Sequence, residues 1–137
     1  MRCRRWFVLS CLVLTSAGTT RSAAAQSSAQ AAWQATPASV LKSALRSVTV
    51  AQQRFHAANG TYAPSIEQLG IALDPAVRVE IARAASDGWQ AKATHHQQPG
   101  RSCVVFVGSL AGAEAPRTDA DGEMAGEEGI PLCDRMR

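Results

Sequence analysis

Asp119-Ala120-Asp121-Gly122-Glu123 sets three carboxylates at alternate positions around a glycine, the pattern of a cation-binding loop. Calcium takes several oxygen ligands, and acidic side chains at every second position can converge on one ion. An EF-hand loop starting at Asp119 would want Gly at its sixth position and Glu at its twelfth, and these are Met124 and Ile130. Calcium held by Asp119, Asp121 and Glu123 is therefore the one cofactor to weigh, against an ordinary solvated acidic loop. His95-His96 sit at the end of an expected strand, where adjacent side chains face opposite ways and make a poor shared metal site. His56 has no carboxylate near it in sequence, so packing or exposure is its default role. The serines lack an elbow motif, and the chain has no Gly-rich phosphate loop and no CxxC pair. No residue is assigned a catalytic role, and the expectation is a protein that is not an enzyme.

The N-terminus is read as an address. Arg2, Arg4 and Arg5 precede the short apolar run Trp6 to Leu14, and Ala23-Ala24-Ala25 form a small-residue cleavage signature before Gln26. Residues 1–25 are thus expected to be a signal peptide, with an apolar run too short to span a bilayer comfortably. Val8-Leu9-Ser10-Cys11 has the form of a lipoprotein signal, but cleavage there would leave almost no apolar core before the cysteine. Removal of residues 1–25 takes four of the 14 basic residues and none of the 11 acids, so a net charge of +3 becomes about −1. The basic balance belongs to the signal and carries no expectation of nucleic-acid binding. Cys3 and Cys11 leave with it. Cys103 and Cys133 remain, an even pair expected to form a disulfide in an oxidising compartment, periplasmic or extracellular. No membrane span is expected after cleavage.

The elements that must position these residues follow. Residues 26–36 are uncharged and rich in Ala, Gln and Ser, a linker or a frayed helix start, and Trp33 in it is either an anchor or an exposed aromatic. Thr36 to Tyr62 then reads as one long amphipathic helix, with Leu41, Leu45, Val48 and Phe55 on its core stripe. Thr36 suits the cap and Pro37 the first turn, and Asn59-Gly60 is the stop. Ser65 is expected to cap a short helical turn with Gln68 as its reciprocal partner. Val77 to Ala85 and Trp89 to His95 alternate as strands, with Val77, Val79 and Ile81, and Arg83 if the alternation runs on, sharing one face of the first. Asp87-Gly88 signals the hairpin between them. Ser102 to Gly108 is the most apolar strand. Leu110 to Glu128 reads as a long acidic loop, and Ile130 to Cys133 returns to apolar character. The expected fold class is α+β: a long N-terminal helix packed on a three- to four-stranded antiparallel meander, with a disulfide-closed C-terminal loop over residues 37–137.

Ala51-Gln52-Gln53-Arg54-Phe55, Asn59-Gly60-Thr61-Tyr62, Gly88-Trp89, Pro99-Gly100-Arg101-Ser102-Cys103 and Pro131-Leu132-Cys133 come in the order found in the globular domain of type IV pilins and pseudopilins. Residues 38–134 resemble that head domain. The polymerising apolar helix of a pilin has no counterpart in these motifs, so the resemblance implies an exported head without it. It also implies a protein partner in the cell envelope or a filament, such as a type IV pilus or a type II secretion system. Some pseudopilins bind calcium in the C-terminal loop, which adds to the interest of Asp119, Asp121 and Glu123. The leading expectation is an exported, non-enzymatic module acting through protein–protein contacts, which predicts an exposed apolar patch beside the helix N-terminus or along the sheet edge. The alternative is a small exported calcium-binding domain unconnected with pili, which predicts a loop that tightens on calcium.

Overall fold

The computed structural model describes residues 35–109 and 112–136. The expected signal peptide, its cleavage site, Trp33 and most of the expected linker lie outside the described residues. Helix α1 spans Pro37–Asn59 and a single turn, α2, spans Ile66–Leu69. Strands β1 (Val77–Ala84), β2 (Gly88–His95), β3 (Ser102–Gly108) and β4 (Leu132–Cys133) form one antiparallel sheet in the order β1-β2-β3-β4.

The expected architecture needs correction. No long N-terminal helix is present among the described residues; α1 is a helix of 23 residues, and the sheet has four strands, the last only two residues long. Thr36 starts the helix by accepting a hydrogen bond from the Ser39 N–H, and the Ser39 hydroxyl returns one to the Thr36 carbonyl. Gly60 stops it in the left-handed region at φ 71° and donates its N–H to the His56 carbonyl. The helix therefore ends three residues before Tyr62, whose own N–H pairs with the Ala85 carbonyl beyond β1. The chain from Pro37 on is thus a short helix on a four-stranded antiparallel sheet, in place of the expected long N-terminal helix.

Periodicity explains which face of α1 packs. Leu41, Ala44, Leu45, Val48, Ala51 and Gln52 are buried, and Phe55 one turn on is half-buried. Leu41, Leu45 and Val48 meet Trp89, Ala91, Ala93, Cys103 and Val105 from the facing side of β2 and β3. The indole N–H of Trp89 is buried with no hydrogen-bond partner among the described residues. Gln52 is polar yet fully buried, because its amide bonds the backbone of Ala63 twice, at 2.8 Å each way. That pair of hydrogen bonds fixes the segment after the helix to the helix itself. His56 makes a second such connection. Its ring stacks on Tyr62 with centroids 4.3 Å apart, and its Nε2 lies 2.9 Å from the Ser86 carbonyl.

Three local expectations change. A bulge between Ile81 and Arg83 shifts the alternation of β1, so Arg83 pairs with Gln90 and Ala84, opposite Trp89, packs against the core. Gly88 is the first residue of β2, opposite Gly108, and a Cβ on it would collide with the Ser109 and Val107 carbonyls. Ser65 precedes α2 without a side-chain cap bond. Strand β3 is buried on both faces at its start, Ser102 to Val105, so it does not alternate. The helix covers one side. The residues after 112 cover the other.

Candidate functional site

The covering segment is not a structureless acidic loop. Arg117 and Met124 form an isolated antiparallel bridge; Thr118 N–H donates to the Glu123 carbonyl at 2.9 Å and Ala125 N–H to the Pro116 carbonyl at 3.0 Å. Residues 116–125 are therefore a small hairpin, turning at Gly122 with φ 66°. Thr118 and Ala125 are buried beneath it.

Asp134 holds this hairpin to the sheet. Its Oδ2 accepts from the N–H groups of Ser102 at 2.7 Å and Ala120 at 3.1 Å, and its Oδ1 accepts from Asp121 N–H at 2.7 Å. Asp134 N–H donates to the Ser102 carbonyl, and the Ser102 hydroxyl accepts from Asp119 N–H at 2.9 Å. Burial pushes the Asp134 carboxyl upward. The N–H groups of Asp121 and Ser102, the Thr118 hydroxyl and the Ala120 N–H outweigh it and hold the carboxyl at about 2, below its ordinary 3.8. Asp134 sits beside Cys133, which is disulfide-bonded to Cys103 directly across the β3–β4 ladder. The bond and the carboxylate together fasten the C-terminal segment to β3.

The residues singled out by sequence pattern separate in this frame. Asp119 Oδ1 pairs with Lys92 Nζ at 2.9 Å across the sheet face. Asp121 Oδ2 accepts from Arg135 N–H at 2.8 Å. Glu123 is exposed and contributes backbone bonds to Thr118. The Asp119 and Asp121 carboxylates have different partners and that of Glu123 forms no ion pair, and no group of three or more His, Cys, Asp or Glu placed to hold a metal ion occurs among the described residues. His95 is buried at the end of β2, with Nδ1 accepting from Gln97 N–H, and its ring stacks on the exposed His96. Leu41, Leu45 and Val48 are fully buried in the core, whereas Phe55 is only half-buried.

Two surface patches stand out by composition. Met124 and Ile130, 47% and 56% exposed, line one open depression with Glu123, Glu127, Pro131 and Leu132. The other acids nearby are engaged: Glu128 accepts from Gly108 N–H at 2.7 Å, and Glu114 lies 3.8 Å from Arg117. Glu123 and Glu127 form no ion pair among the described residues, so two free carboxylates frame two exposed apolar side chains. On the helix, Val50 is 46% exposed and lines a second depression with Arg46, Arg54 and Ile71. Arg46 and Arg54 likewise form no ion pair among the described residues. The exposure of neither patch is marked in the sequence, although Arg54 falls in the Ala51–Phe55 motif and Pro131-Leu132 in the Pro131–Cys133 motif. Nor does any local pattern show the roles of Asp134 and Gln52, since each acts on partners distant in sequence.

No helix among the described residues is long and apolar enough to cross a membrane. The Cys103–Cys133 bond is compatible with an oxidising, exported location. No protein-family model matches the chain, and no curated protein matches it either.

Proposed function

We propose that this chain is an exported, non-enzymatic module that works through protein–protein contacts. The observation that carries the reading is the Met124–Ile130 patch: two large apolar side chains left in water on a segment that is otherwise fastened down. Its support is the disulfide behind it and the Asp134 hydrogen bonds beneath it, so the patch is preorganised for a partner. Apolar side chains ringed by unpaired charge are the anatomy of a contact with an apolar centre and a polar rim. Asp134, whose carboxyl is held far below its ordinary range, already accepts three backbone N–H groups and is turned inward, which suits a fastening rather than a reacting group. The sequence resemblance of residues 38–134 directs the search to envelope or filament proteins.

The test is gentle crosslinking and co-purification of the exported chain from its producing cells, wild type beside Met124→Glu/Ile130→Glu. Protein adducts of the wild type that the double variant loses are the expected result. A wild type that carries no protein adduct overturns the reading.

A further inference from the structure

We propose that the contact partner is a second copy of this chain, bound head to tail, with the Met124–Ile130 patch of one copy on the Arg46–Val50–Arg54 face of α1 in the next. This rests on the contact-module reading above. Val50, Met124 and Ile130 are the large hydrophobic side chains left exposed among the described residues, and they fall on two separate surfaces. The two surfaces carry opposite charge. Glu123 and Glu127 flank the loop patch, while Arg46 and Arg54 flank Val50, and none of the four has an ion-pair partner among the described residues.

The spacing suits an elongated contact. Arg46, Val50 and Arg54 are four residues apart, so they form one ridge of α1 spanning about 12 Å. Ile71 adds an apolar wall on one side of that ridge, and Pro131 with Leu132 does the same at the loop. The two surfaces cannot meet within one copy. Helix α1 packs on the side of the sheet bearing Cys103 and Val105, whereas the hairpin bonds Ser102 and Lys92 on the other side. The contact is therefore between copies, and it is heterologous: different patches meet, so association runs on unless the rotation closes a ring. With apolar centres this small and charged rims, the association is weak and salt-sensitive.

Sedimentation of the full chain, purified with the Cys103–Cys133 bond formed, tests this across a concentration series at low and high salt. Two variants reverse one surface each: Arg46→Glu/Arg54→Glu and Glu123→Lys/Glu127→Lys. All four positions are exposed, and circular dichroism checks that each variant is folded. The wild type associates at low salt and dissociates at high salt. Each variant alone presents like charge to like and associates at least about tenfold more weakly. Mixed in equal amounts, the two variants are complementary at both surfaces and recover association. A wild type that stays monomeric throughout, or a mixture no more associated than its parts, overturns the proposal. If the wild type is monomeric but a photo-crosslinker at Ile130 captures a different protein in producing cells, the self-association falls and the contact-module reading stands. Capture of no protein at all removes that reading separately.

Discussion

At Asp134 four groups from β3 and from the 118–121 turn converge on one carboxylate. Removing the carboxylate leaves the buried Ser102 N–H and the part-buried Ala120 and Asp121 N–H groups without this acceptor, and such loss is expensive. Asp134→Ala is expected to destabilise the fold by about 3–5 kcal/mol, and Asp134→Asn by less, measured by urea unfolding. The same carboxylate makes stability depend on pH. Its folded value of about 2 lies below the unfolded 3.8, so its contribution is fully present above about pH 4 and is lost as pH falls towards 2. The loss is on the order of 2 kcal/mol. Thermal melting between pH 5 and 2 should show the decline in the wild type and a flatter profile in Asp134→Asn. Nothing local to Asp134-Arg135-Met136 announces this role, because its partners lie 13, 14 and 32 residues away. Leu41, Leu45 and Val48 are legible for the opposite reason: their helical spacing is itself the signal. Asp119, Asp121 and Glu123 have calcium-loop spacing, yet Asp119 pairs with Lys92 and Asp121 with the Arg135 N–H, while Glu123 pairs with neither.

Elements are legible where the chain is locally consistent. The Thr36 cap, the Gly60 stop and the β2 and β3 runs can be read from residue type, because each depends on a few adjacent positions. The bulge in β1, the two-residue β4 and the 116–125 hairpin cannot, since cross-strand partners decide them. The join between α1 and the rest depends on Gln52. Gln52→Ala leaves the Ala63 N–H and carbonyl unpaired and is expected to cost about 1–3 kcal/mol by urea unfolding. Gly88→Ala should cost a similar amount, about 1–3 kcal/mol by the same measurement, because the added methyl group meets backbone carbonyls that cannot rotate away. Replacing Cys103 and Cys133 by serine opens a loop of sequence separation 30 and should remove roughly 3–4 kcal/mol. Limited proteolysis of that double variant should then cut first within the 112–131 segment.

The molecule from α1 onward is two coverings on one small sheet, α1 on one side and the disulfide-tethered hairpin on the other, and each carries an exposed patch on its outer surface. The overall charge of +3 conceals this arrangement, since the positive and negative side chains that matter sit on opposite coverings. Composition reports totals and cannot report which side of a sheet a residue occupies. Export should be visible in the mass of the protein recovered outside the cytoplasm: a chain starting at Gln26 that gains two alkyl groups only after reduction. The contact claim itself is tested most directly by a photo-crosslinking residue placed at Ile130 in producing cells, with Glu80 on the far edge strand β1 as the control position. A contact module predicts a protein adduct from Ile130 and none from Glu80, with the Ile130 adduct weakened by Glu123→Lys/Glu127→Lys. The absence of any adduct from Ile130, or equal adducts from both positions, would contradict it.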